Sequence, residues 1–241
     1  MRLARSGSSN GRRASSFTTN QADVRSKRTR VVVVGDGGAG KTSILSSFAN
    51  GTFPDEYVPT VFENHDLQVE VDGETVELEV WDTAGQEEYS SLRQKSYSNV
   101  DVFVLVFAIS NRDSFENLFS KWFKEIKQFC PLAGVVVVGA KSDLREDDGV
   151  LAEAASYGKP ILEYAEYEHR ATELAEKYLE CSALQREHLD ELFQEVVRVD
   201  RRMKLSQIDL PNSSATTTMP QSRAQRSKSV VSQARASCIV C

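Results

Sequence analysis

An α/β fold is predicted, with a mostly parallel sheet and helices on both faces. Three observations carry it: short β-branched apolar runs, amphipathic stretches between them, and one alternating segment with a turn at its middle. The first run, "VVVV" (31–34), is apolar at every position and ends at glycine, which marks a strand buried on both faces. "HDLQVEVDGETVELEVWD" (65–82) alternates on either side of Asp72-Gly73, a dipeptide that tolerates positive φ, and reads as a hairpin. "VFVLVFAI" (102–109) and "VVVVGA" (135–140) repeat the pattern of the buried strand. Between them Phe115, Leu118, Phe119, Trp122, Ile126 and Phe129 recur at helical spacing, so one amphipathic helix is expected over 113–129 with that stripe in the core. "YLECSA" (178–183) reads as a last short strand, and Leu189, Leu192, Phe193, Val196 and Val197 mark the final helix. In open sheets of this kind ligands sit beyond the carboxyl ends of the strands. Residues 35–42, 82–86, 141–143 and 182–184 are therefore expected on one edge.

Charge divides the chain of 241 residues. Residues 1–30 hold eight Lys/Arg against one acid, Asp23; residues 211–241 hold Arg223, Arg226, Lys228 and Arg235 and no acid; and 31–210 carry a net −17. This organisation predicts a disordered basic, Ser-rich extension (1–29), one globular domain (30–204) and a flexible basic tail (205–241). The first segment lacks the regular apolar stripe of a transit peptide. No secretory leader opens the chain, no apolar run reaches the length of a membrane span, and Cys130 and Cys181 read as core thiols; a reduced, intracellular setting is expected. With an acidic domain, no nucleic-acid partner is expected.

The turn after the first strand puts four glycines in six residues, from Gly35 to Gly40. Gly35-x4-Gly40-Lys41-Thr42 is a strand–loop–helix phosphate cradle: bare backbone lets consecutive N–H groups face phosphate oxygens, and the helix that starts there adds its positive end. Lys41 is placed to reach the β- and γ-phosphates, and the Thr42 hydroxyl to ligate Mg²⁺. Asp36, Gly37, Gly38, Ala39 and Ser43 complete the loop.

"GDGGAGKT" (35–42), "YVPTVFEN" (57–64), "WDTAGQEEY" (81–89), "KSDL" (141–144) and "ECSA" (180–183) stand in the order and spacing of the Ras-like small GTPases. "FPDEYVPTVFEN" and "VWDTAGQEEYSSLR" resemble the Rho family in particular. The 38 residues between Asp143 and Ser182 are similar to the helical insert of that family. The resemblance covers about residues 30–204 and implies the small G-protein form of the P-loop NTPase fold, with a six-stranded sheet and a Rho-type insert. It implies a GTP hydrolase that uses GTP/GDP with Mg²⁺. Thr60 would bind Mg²⁺ and contact the γ-phosphate, and Asp82 would hold Mg²⁺ through water. Gly85, beside Thr83 and Ala84, would donate its N–H to the γ-phosphate, and Gln86 would orient the attacking water, with Lys41 and Thr60 assisting. A side chain at Gly37 would crowd that glutamine. Phe53 would pack on the guanine base, and Tyr57 would close over the phosphates.

Base recognition departs from the family pattern. Asp143 fits the carboxylate that accepts paired hydrogen bonds from guanine, Lys141 would lay its stem on the base, and the Ala183 N–H, after Ser182, remains for the guanine oxygen. Ala140 stands where asparagine is usual, and Leu184 where lysine is usual.

The chain ends Cys238-Ile-Val-Cys241, which fits a C-a-a-X motif with cysteine at X, so prenylation of Cys238 is expected. A spare CxxC is the competing reading, but no second half-site accompanies it. The resemblance further implies an exchange factor, a GTPase-activating protein, a GDP-dissociation inhibitor and effectors that bind through 57–64 and 85–93. It implies a signalling role at the cytoplasmic face of the membrane with a cytosolic pool, in the actin cytoskeleton or cell polarity. A rapidly exchanging, GTP-loaded binding module is the second reading. A P-loop ATPase or small-molecule kinase would lack "DTAGQE" and the Lys-x-Asp element.

Overall fold

The computed structural model describes residues 28–54, 56 and 58–208. Tyr57, Cys238, most of the segment 1–29 and the tail beyond 208 lie outside the described residues.

The strands are β1 (Arg28–Val34), β2 (Phe62–Val71), β3 (Glu74–Thr83), β4 (Val102–Ala108), β5 (Gly134–Ala140) and β6 (Lys177–Cys181). They form one sheet of six in the order β2-β3-β1-β4-β5-β6. Only β2 and β3 run antiparallel; every other neighbouring pair is parallel. The hairpin closes through Asp72 (φ 54°) and Gly73 (φ 81°), the two positive φ angles that a tight turn between twisted strands requires. Strand β1 is longer than the run 31–34. Arg28, Thr29 and Arg30 pair with Glu77, Leu78 and Glu79, and the Thr29 hydroxyl donates to Asp200 Oδ2 at 2.8 Å, so the polar start is held by its partners.

The helices are α1 (Lys41–Asn50), α2 (Ser90–Arg93), α3 (Arg112–Asn117), α4 (Phe123–Phe129), α5 (Asp148–Ser156), α6 (Tyr164–Ala171) and α7 (Leu189–Ile208). Alternation along the buried strands sorts the core into two layers. Val31 and Val33 of β1 join Val104, Val106, Val136 and Val138 against Ile44 and Leu45 of α1 and Leu192, Phe193 and Val196 of α7. On the other face Val32, Val34, Phe103, Leu105 and Phe107 meet Phe115, Trp122, Ile126 and Tyr167. Burying side chains of this size contributes about 1.5–3 kcal/mol each.

The helix expected over 113–129 differs in two respects. Its middle, Leu118–Trp122, is a π turn between α3 and α4. Phe129 is exposed, because α4 ends there at the surface. The insert forms α5 and α6; α5 is capped by Asp147, whose Oδ1 accepts the Val150 N–H at 3.0 Å, and α6 opens with a capping box between Glu163 and Glu166. Cys181 is buried, whereas Cys130 is half-buried, its thiol donating to the Tyr97 carbonyl at 3.0 Å.

Candidate functional site

Three of the four polar clusters following the parallel strands gather around one cavity of about 450 Å³ at the carboxyl edge of the sheet, lined by Gly37, Lys41, Thr42, Thr60, Gly85 and Lys141 among others. The loop between β1 and α1 can make this cradle only with glycine at 35. Gly35 has φ 148°, and a Cβ there would collide with the Val106 carbonyl of β4.

Lys41 is buried at the first position of α1, and its Nζ donates to the carbonyls of Gly35 and Asp36, each at 2.9 Å. An ammonium has three N–H donors, so one is left for a ligand. Burial pushes its pKa down to about 8, against the attraction of Asp82 and Asp36. A desolvated cation of this kind gains strongly from a phosphate partner.

Thr42, Thr60 and Asp82 meet at one point. The Thr42 and Thr60 hydroxyl oxygens are 2.6 Å apart, and the Thr42 hydroxyl donates to Asp82 Oδ2, also at 2.6 Å. Asp82 is fully buried at the end of β3, and its Oδ1 has no hydrogen-bond partner among the described residues. Desolvation raises its pKa, opposed by the Thr42 hydrogen bond and by Lys41. A buried carboxylate oxygen without a partner is costly unless a cation or water completes it. Two hydroxyls and one carboxylate are hard oxygen donors, and they suit a small hard dication that takes its remaining ligands from phosphate and water. No group of three or more His, Cys, Asp and Glu side chains able to hold a metal occurs among the described residues.

The segment after β3 is fastened on both sides. The Thr83 hydroxyl donates to the Val33 carbonyl at 2.7 Å, and Ala84 N–H donates to the Val61 carbonyl at 3.2 Å. Gly85 sits against the phosphate loop itself: a Cβ there would run into Gly35 O, Asp36 C and Gly37 N. Gln86 is exposed at the cavity wall. A Cβ at Gly37 meets nothing within 4 Å.

Base recognition is split. Lys141 lines the phosphate cavity from a left-handed backbone (φ 65°), and Phe53, 42 % exposed, lines it too. Asp143 instead faces a second cavity of about 460 Å³ with Arg145, Gln185 and His188. Its Oδ1 accepts the Ser182 hydroxyl at 2.5 Å, and Ser182 Oγ accepts Gln185 N–H at 3.0 Å, so Asp143 and the loop 182–185 are one unit. Ala183 is buried and Leu184 is 57 % exposed. Ala140 is buried at the end of β5, its Cβ 3.3 Å from where a Gly40 Cβ would stand, so this position abuts the phosphate loop.

Two features escaped the sequence reading. Asp36 accepts from Asn117 Nδ2 (2.6 Å) and from Trp122 Nε1 (2.8 Å), which ties the phosphate loop to the α3–α4 helix. The second is Arg93, buried beneath the 84–86 segment. Trp122 belongs to a stripe that reads as packing alone, Asn117 lies off that stripe with nothing to mark it, and nothing local marks Arg93 as buried.

A family model described as Ras family matches residues 30–201. The chain is 43 % identical over 183 residues to "GTP-binding protein rho2" of Schizosaccharomyces pombe, covering 76 % of this chain and 92 % of that protein. It is 42 % identical over 178 residues to "Rho-related GTP-binding protein RhoD" of Homo sapiens, covering 72 % and 83 % respectively.

Proposed function

The chain belongs to the Ras family, as a Rho-type small GTPase that hydrolyses GTP to GDP and phosphate, and from that premise we propose that it acts as a Mg²⁺-dependent, membrane-anchored signalling switch. The observation that carries the proposal is the meeting of Thr42, Thr60 and Asp82 beside the buried Lys41. Thr60 comes from the segment before β2 and Asp82 from the end of β3, so a γ-phosphate and its metal would join two separate loops to α1.

In this reading the loop 35–43 binds the phosphates, and Lys41 supplies charge to the β- and γ-phosphates. Thr42, Thr60 and, through water, Asp82 would hold Mg²⁺, which neutralises phosphate charge when bound. The Gly85 N–H contacts the γ-phosphate, and the Gln86 amide orients the attacking water. Loss of the γ-phosphate frees the Thr60 and Gly85 segments, so effectors recognising 57–64 and 85–93 are released. The same surfaces serve an exchange factor, a GTPase-activating protein and a GDP-dissociation inhibitor. Prenylation of Cys238 with the basic tail would place the protein at the cytoplasmic face of the membrane, with a cytosolic pool, and the pathway is one of cytoskeleton or polarity.

A second reading, rapid exchange and a mostly GTP-loaded state, is favoured by Ala140 and Leu184. Ala140 offers no hydrogen bond to the base or to the phosphate loop, and Leu184 offers no charge. The experiment is uptake and release of fluorescent guanine nucleotides by the purified chain. We expect uptake of GDP and GTP but not ATP, and faster release when EDTA removes Mg²⁺. Release indifferent to EDTA would sink the metal assignment.

A further inference from the structure

Gln86 has a role that depends on orientation, yet its side chain has no hydrogen-bond partner among the described residues. Its position is set by its main chain. That main chain is held by Arg93, whose guanidinium is 1 % exposed. Nη1 donates to the Ala84 carbonyl at 2.7 Å and to the Gln86 carbonyl at 3.3 Å. Nε and Nη2 form a fork on Glu125 of α4, at 3.0 and 3.1 Å, and Glu125 also accepts the Tyr97 hydroxyl at 2.7 Å. The guanidinium lies over the Trp122 ring, 4.6 Å from its centroid.

Trp122 carries the link onward, since its Nε1–H donates to Asp36 in the phosphate loop. The π turn makes this double attachment possible. In an α-helix, residues five apart such as Asn117 and Trp122 point about 140° away from each other. The wider turn over Leu118–Trp122 brings both onto the Asp36 carboxylate. One rigid helix thus grips the phosphate loop through Asp36 and the main chain of Gln86 through Arg93.

We propose that Arg93 is a positioning residue for GTP hydrolysis: it holds the Gln86 main chain in register with the phosphate loop through their shared attachment to the α3–α4 helix. The proposal rests on the reading of Gln86 as the residue that orients the attacking water. A planar fork suits the task. It satisfies two carbonyls and a carboxylate at once in fixed directions, which a lysine ammonium cannot.

The test is single-turnover GTP hydrolysis by the full chain, alongside release of a fluorescent GDP analogue. The variants are Arg93→Lys and Glu125→Gln, each made in the parent and in a Gln86→Leu background. Small misplacements at a reacting centre cost up to about a hundredfold in rate. We expect Arg93→Lys to slow hydrolysis roughly 10- to 100-fold and Glu125→Gln by less, with nucleotide release changed no more than about twofold. In the Gln86→Leu background neither substitution should slow hydrolysis further, because the group they position is gone. A parent-like rate in both variants, or the same slowing with and without Gln86, overturns the proposal. If Arg93→Lys does not fold, Glu125→Gln alone decides by the same comparison. If Gln86→Leu itself hydrolyses GTP at the parent rate, the reading of Gln86 fails first and the proposal falls with it.

Discussion

At the scale of single residues, Gln86 and Ala140 separate chemistry from binding. The Gln86 amide makes no hydrogen bond to another described residue, whereas Lys41, Thr42 and Asp82 are held by partners of their own, so Gln86→Leu should leave them as they are. GTP binding is expected to persist while single-turnover hydrolysis, intrinsic or stimulated, falls strongly; phosphate release at the parent rate would remove Gln86 from the mechanism. Ala140 tests the hold on the base. Asparagine in its place would add a few hydrogen bonds of about 1 kcal/mol each to the base and the neighbouring loop. Since about 1.4 kcal/mol is tenfold, Ala140→Asn should slow GDP release by roughly ten- to a hundredfold, as differences in affinity act mainly on off-rates. An unchanged release rate would mean that the site compensates elsewhere, and rapid cycling would lose its physical basis.

At the scale of elements, the insert is braced to the core by charge. Arg170 of α6 forks onto Glu116 of α3 at 2.7 Å through both nitrogens, and Arg112 adds a third bond at 3.0 Å. These arginines, Arg170 foremost, hold the Glu116 carboxyl down to about 2, from its ordinary 4.5. A depressed carboxylate stabilises the fold above 4.5 and loses that contribution as pH falls towards 2. Glu116 is partly exposed, so water screens part of the effect. Denaturant unfolding at a series of pH values should show a shallower acid decline in Glu116→Gln than in the parent; identical declines would show that the brace is inert. The elements themselves were legible in the sequence, because buried parallel strands are uniformly apolar and Asp72-Gly73 demands its turn. The π turn was not. It accompanies two side chains, Asn117 and Trp122, that converge on Asp36, 81 and 86 residues away along the chain, and pattern within a helix cannot register a distant acceptor. The phosphate cradle was readable for the opposite reason, being one contiguous segment. Arg93 was hidden because the carbonyls and the carboxylate that bury it come from two separate segments, 84–86 and α4.

At the scale of the molecule, the acidic globule stands between basic ends. Among the described residues no helix is long and apolar enough to cross a membrane. Membrane residence, as proposed, rests on the tail, where the four basic residues of 211–241 would assist a lipid on Cys238 without replacing it. A single lipid chain binds membranes only marginally and a basic patch alone is weaker, so stable anchoring takes both. Cys238→Ser is expected to move the protein from the membrane to the soluble fraction of disrupted cells. Unaltered membrane recovery would point to Cys241 or to another anchor.

The contact between Gly85 and the phosphate loop is backbone against backbone, and this limits how the protein can evolve. A Cβ at Gly85 meets main-chain atoms of three consecutive residues, so there is no gradation of side-chain size to select among, only presence or absence of one carbon. Variation at that seam is all or nothing. Any lineage that adjusts its turnover by degrees has to do so at positions where chemistry is continuous, in the fork that grips Gln86 from below or in the side chain at 140. Diversity of rate among descendants of this chain should accumulate there, around a seam that does not change.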